Sequence, residues 1–174
     1  MSQRTEQAAA KVLARFGIAG PPVPVDNLAE QLGVTVLEER LERDVSGILY
    51  RQDDGISVIA VNATHAPVRR RFSIAHEIGH LHMHAGRPII VDHLVRGRVN
   101  MRDERSSLAT SREEIEANGF AAALLMPTDW ISADVEGSLG ENAGRTIETL
   151  AKRYNVSVQA MELRLLNLGY RSTP

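Results

Sequence analysis

The chain has 174 residues, a net charge of −2, 43% hydrophobic and 24% charged residues, and no cysteine. That length and balance fit a single globular domain over residues 1–174 with a core of its own. They exclude a disulfide scaffold, a thiolate metal site, a cysteine nucleophile and the global basic field of a nucleic-acid binder.

Residues 3–16 place Ala8, Val12, Leu13 and Phe16 on one helical stripe. The charges of this first segment stand where a signal peptide needs an apolar run, and no stretch approaches the roughly 18 apolar residues of a membrane span. A cytoplasmic chain without a membrane partner is expected. "GPPVPV" (20–25) breaks the pattern. A short helix, "DNLAEQLG", starts at Pro24 or Asp26 and closes at Gly33. "VTVLEE", "GILYRQ" and "GISVIAVN" are β-branched runs, the last two joined through Asp53-Asp54-Gly55, a hairpin signal. Two or three antiparallel strands are therefore expected before a helix that opens at Pro67 and runs to about His84. Residues 86–111 are the least regular part, with "PIIVDHLV" as an edge strand and an arginine-rich loop carrying Arg96, Arg98, Arg102 and Arg105. A second strong helix spans about 111–126 and ends at Pro127. Two short helices, about 144–154 and 157–168, pack on the domain and finish the chain. The resulting class is α+β, mainly helical, with a short antiparallel sheet next to the Pro67 helix.

Four of the six histidines fall between residues 76 and 84, in "FSIAHEIGHLHMH". His76, His80 and His84 stand at i, i+4 and i+8. On a helix rising 1.5 Å per residue, i to i+4 is about 6 Å, so two imidazoles can share one ion; i to i+8 is about 12 Å, too far for metal–nitrogen bonds of about 2 Å. His76 and His80 can therefore chelate together. Glu77 completes the H-E-x-x-H pattern, in which the acid takes a proton from water activated at the metal. The flanks Phe72, Ile74, Ala75, Ile78 and Leu81 make this a buried helix, where titratable groups need a partner or an ion. Two satisfied core histidines beside a stray acid are the bland alternative, and the second helix weighs against it. His82 and His84 read as surface or supporting histidines.

A hydrolytic metal site needs a third protein ligand and an open position. Position 86, where a longer histidine motif would place it, is Gly86. "REEIEANGFAAALLMP" (112–127) offers Glu113, Glu114 and Glu116 instead. Glu114 shares its face with Ala117, Asn118, Ala121 and Leu125, a small-residue stripe that lets this helix approach the histidine helix at Gly79. The ranking is Glu114, then Glu116, then Glu113. Asn118, four residues beyond Glu114, can hydrogen-bond the other ring nitrogen of a ligand histidine. The histidine and carboxylate set suits one Zn²⁺ per chain, with Mn²⁺ or Fe²⁺ also compatible.

These two blocks, "RRFSIAHEIGHLHMH" (70–84) and "EIEANGFAAALLMP" (114–127), together resemble the ImmA/IrrE family of zinc metallopeptidases. Weaker similarity covers "PPVPVDNLAEQLGVTV" and "LAKRYNVSVQAMELRLLNLG", so the resemblance spans nearly the whole chain. It implies a zincin-like fold, zinc held by His76, His80 and Glu114, and Asn118 as a supporting partner. It also implies cleavage of a DNA-binding repressor that derepresses mobile-element or stress-response genes. Some relatives carry a fused helix-turn-helix or sensor domain, for which this chain has no room, so the repressor would be a separate protein acting in trans.

Glu77 is then the catalytic base, and the oxyanion donor is undetermined among Tyr50, His82 and His84. A strand edge of the 46–62 hairpin can hold an extended peptide. The arginine-rich loop reads as a solvated loop, with orientation of an acidic substrate as the second reading. The alternative function is a catalytically latent, metal-binding regulatory module that binds a repressor or DNA. "TIETLAKRYNVSVQAMELRLLNLG" (146–169) has helix–turn–helix spacing around Tyr154-Asn155-Val156-Ser157. Its charges, among them Glu148, Glu162, Lys152, Arg153 and Arg164, are too mixed for a phosphate-reading face, and no direct nucleic-acid binding is expected.

Overall fold

A computed structural model describes residues 2–51, 55–84, 89–93, 104–137 and 143–170. Helix α1 (Gln3–Arg15) is capped by Ser2, whose hydroxyl accepts from the Arg4 amide, and it stops ahead of Gly17 in the left-handed region. Helix α2 (Val25–Gln31) ends before Gly33, also at positive φ, and leads into β1 (Val34–Glu39). Strands β2 (Val45–Arg51) and β3 (Ser57–Asn62) follow, then α3 (Pro67–Met83) with proline in its first turn, and β4 (Ile89–His93). The remainder is helical: α4 (Glu104–Leu125), α5 (Thr128–Gly137), α6 (Ala143–Tyr154) and α7 (Val158–Asn167).

The four strands lie in the order β1-β3-β2-β4. β2 is antiparallel to both β3 and β4, as expected, whereas β1 runs parallel to β3 with Val34 opposite Ser57. The parallel addition follows from the connection after β1, which passes the end of β3 before β2 begins. Asn62, fully buried at that end, pins the crossing: its Nδ2 donates to the carbonyls of Glu42 (3.0 Å) and Val45 (2.9 Å), and its Oδ1 accepts from Thr64. Both hairpin strands are thus interior, which corrects the expectation that one of them offers a free edge. The edges are β1 and β4. Asp53 and Asp54 of the expected hairpin turn lie outside the described residues, as do Arg96, Arg98 and Arg102 of the arginine-rich segment.

Helix α3 lies against β2 and β3 and is backed by α4, its most extensive partner; α1 packs on the far side of α4. Ile78, Phe120, Leu124 and Leu49 are fully buried in the shared core, each contributing roughly 2–3 kcal/mol by leaving water. The expected thin face is present: a Cβ on Gly79 would stand 3.2 Å from the Ala117 Cα and carbonyl oxygen and 3.1 Å from Phe120. Two expectations need correction. The second strong helix begins at Glu104 rather than near 111, and α5 was not foreseen. Tyr154 donates to Asp134 (2.8 Å) and Tyr170 to Ser132 (3.0 Å), so α5 is fixed by groups that arrive from α6 and from beyond α7.

Candidate metal centre

Helix α3 presents His76 and His80 on its inner face, with Glu77 beside them, and all three residues are buried. Helix α4, brought close by the Gly79–Ala117 contact, contributes Glu114 from across the interface. The Nε2 atoms of the two histidines are 3.0 Å apart, with Glu114 Oε2 3.2 Å from that of His76 and Glu114 Oε1 3.2 Å from that of His80. Four-coordinate zinc with bonds of 2.0–2.1 Å spaces its ligand atoms about 3.3 Å apart. The carboxylate thus faces the two ring nitrogens at about the spacing such an ion imposes, and this cluster can hold a metal ion.

The ring protons agree with that use. The Nδ1 of His76 lies 3.1 Å from the Asn118 amide oxygen, an acceptor, so the ring proton sits on Nδ1 and Nε2 carries a lone pair. Burial lowers the pKa of His80, and the neighbouring His76 and His84 add to that against the opposing pull of Glu114, which keeps the ring neutral. A carboxylate and two ring lone pairs converging at 3.0–3.2 Å repel one another unless a cation stands between them.

Strand β2 runs along α3 and frames the acid. Arg69 donates to Ser46 (3.1 Å) near the start of α3, and the Arg51 guanidinium donates to the carbonyls of His80 and His84 (2.8 Å each) at its end. Between these anchors a register shift in the β2–β4 pairing falls between Val45 and Gly47. It leaves Gly47 over Glu77, where a Cβ would meet the Glu77 Oε1 at 2.7 Å. The role of Gly47 was missed in the sequence, although an isolated glycine inside a β-branched run signals a bulge or a close approach.

The remaining candidates separate. Glu116 is not in the cluster; it receives His84 Nε2 (3.1 Å), Arg4 (3.3 Å) and Arg112 (3.3 Å). The His84 hydrogen bond, ahead of the opposing burial, holds its carboxyl below the ordinary range. His84 uses both ring nitrogens, the other facing His80 Nδ1 at 3.1 Å, and so has no donor left for an oxyanion. His82 is exposed, with its ring 6.0 Å from that of Phe120, and Tyr50 is exposed on β2. Arg164, expected on an exposed face of the last helix, is instead fully buried and paired with Glu6. Leu150, Tyr154, Met161 and Leu165 bury the inner faces of α6 and α7 in the main core, which leaves this pair as a packed element.

The sequence profile of the Peptidase_M78 family, described as an IrrE N-terminal-like domain, matches residues 29–166. "Uncharacterized immunity region protein 2" of Bacillus phage phi105 is 26% identical over 140 residues, which are 80% of this chain and 78% of that protein. Among solved structures, a Mycobacterium tuberculosis transcriptional regulator superposes with a TM-score of 0.61 at 18% identity, a likeness of fold. The match covers 94% of this chain and 46% of that one, so the chain spans about half the length of the regulator.

Proposed function

We propose that this chain, which belongs to the Peptidase_M78 family by the match over residues 29–166, is a cytoplasmic, single-domain zinc endopeptidase that cleaves a separate DNA-binding repressor. The observation that carries the reading is the His76–His80–Glu114 cluster, with contacts of 3.0–3.2 Å, set next to the buried acid Glu77. A divalent ion bound there would supply Lewis acidity. His76, His80 and Glu114 would hold it, and Asn118 would fix the His76 ring for it. Glu77 accepts the proton of the attacking water on its carboxylate and returns it to the leaving amine. β4 pairs with β2 on one side and with no other strand among the described residues, so its outer edge suits an extended peptide. The phage relative is an immunity region protein, which supports a substrate among the regulators of such a region. No helix among the described residues is long and apolar enough to cross a membrane.

The reading is tested with the purified chain and candidate DNA-binding repressors. Cleavage should require about one zinc per chain, stop with chelator and return with added metal. Glu114→Ala should empty the site and abolish cleavage, whereas Glu113→Ala should leave both nearly unchanged. Asn118→Ala should weaken metal binding about 10- to 100-fold, as expected when a partner of a ligand histidine is lost. Metal content unaffected by Glu114→Ala would overturn the ligand set.

A further inference from the structure

His76 and His80 are equivalent in the motif, but α4 supports them differently. His76 has a direct acceptor in Asn118. His80 instead meets another imidazole: its Nδ1 lies 3.1 Å from the Nδ1 of His84, and the Nε2 of His84 lies 3.1 Å from the Glu116 carboxylate. Two nitrogens at hydrogen-bond distance share one proton, and which of them carries it depends on the far end of the chain. Glu116 also receives Arg4 and Arg112, which only donate, so its carboxylate is the acceptor in the contact with His84 Nε2. The His84 proton therefore sits on Nε2, its Nδ1 is an acceptor, and the proton between the rings belongs to His80 Nδ1. The lone pair of His80 is left on Nε2, inside the cluster.

We infer that His84 and Glu116 are positioning residues: through His80 Nδ1 they fix the tautomer and ring orientation that present His80 Nε2 to a divalent metal. The inference rests on the metal-centre reading above. The backbone at His84 is tied to β2, its carbonyl receiving Arg51 together with the carbonyl of His80, while the imidazole is held at both nitrogens. The i+8 histidine, too distant to chelate, and the second-ranked acid of α4 thus act one step behind the ligand. Arg4 extends the chain to the first turn of α1, which ties the N-terminal helix to the metal site.

Two measurements test this. In protein labelled with ¹⁵N-histidine at neutral pH, long-range ¹H–¹⁵N correlation should show His84 as the Nε2–H tautomer and His80 protonated at Nδ1. Zinc affinity, read by competition with a chromophoric chelator, should fall about 10- to 100-fold in His84→Leu and in Glu116→Ala. His84→Gln should recover most of the loss, because one amide accepts from His80 at its oxygen and donates to Glu116 at its nitrogen. Glu113→Ala on the same helix should bind as the parent does. An Nδ1–H tautomer on His84 overturns the inference, and so does parent-like zinc affinity in Glu116→Ala, a variant with a partly exposed side chain that the fold should accept. If the parent takes up no zinc, the metal-centre reading fails separately, and the His84 tautomer in that metal-free sample still decides the relay.

Discussion

Glu6→Ala, far from the metal centre, is expected to destabilise the protein by about 3–5 kcal/mol, a large share of an ordinary domain's stability. The cause is the residue it strands. The Arg164 side chain is 0% exposed, and its guanidinium donates to both Glu6 oxygens (2.6 and 3.0 Å), to the Met126 carbonyl (2.8 Å) and to Thr128 (3.2 Å). Glu6 is the only anion among these partners. Removing it takes this carboxylate away from a buried guanidinium, whereas Arg164→Met leaves an acid that is 28% exposed and can reach water. Arg164→Met should therefore cost less, and the double variant should recover much of the Glu6→Ala loss. Urea unfolding of the three variants measures this, and a double variant no more stable than Glu6→Ala would contradict it. The pH dependence has a definite sign. Burial raises the Glu6 carboxyl, but the hydrogen bond and charge of Arg164, with Thr128, bring it below its usual 4.5. A carboxyl depressed in the fold contributes stability above its unfolded value and loses it as the pH falls through the folded value. The parent should lose this component below about pH 4.5, and Glu6→Ala should lack it.

That bond ties α7 to α1 across the whole chain, and nothing local in the sequence announced it. Arg164 stands among charges that read as a solvated face, because helical periodicity cannot say that a cation's partner lies 158 residues away. The clustering of His76, His80 and Glu114 was legible for the opposite reason. His76, Glu77 and His80 are spaced by one helix, and the choice of Glu114 followed from Ala117, Ala121 and Gly79, small residues whose only evident use is close approach. The direction of β1 was not legible. Its alternating Val34 and Val36 suit either orientation, and the decision is made by Asn62 holding the 41–45 crossing. Helix α5 escaped notice because Trp130, Ile131 and Val135 make too short a stripe, and its fixing bonds arrive from Tyr154 and Tyr170. His84 and Glu116 were visible as residues but not as a pair, since the link exists only once α3 and α4 are packed.

Glu77→Gln is expected to cut cleavage of the natural repressor by 10²- to 10⁴-fold while leaving zinc content, fold and repressor affinity unchanged, a loss of roughly 3–5 kcal/mol in the barrier. The amide is isosteric with the carboxylate, so it fits the slot beneath Gly47, but it cannot take a proton from water. Because Glu77 is buried against β2, its position can also be perturbed without changing its chemistry. In Gly47→Ala the new methyl would fall 2.7 Å from Oε1 and 3.3 Å from Cγ of Glu77, so the carboxylate must move. A displacement near 1 Å can cost about 10²-fold in rate. The expected pattern is full metal content and a low rate in both variants. Zinc content, repressor pull-down and cleavage measured on one preparation separate the possibilities. A Glu77→Gln protein that cuts as fast as the parent removes Glu77 from the mechanism. If parent and variant both bind the repressor and neither cuts it, the chain is a metal-bound regulatory module, and the pocket under Gly47 holds an acid with no proton to move.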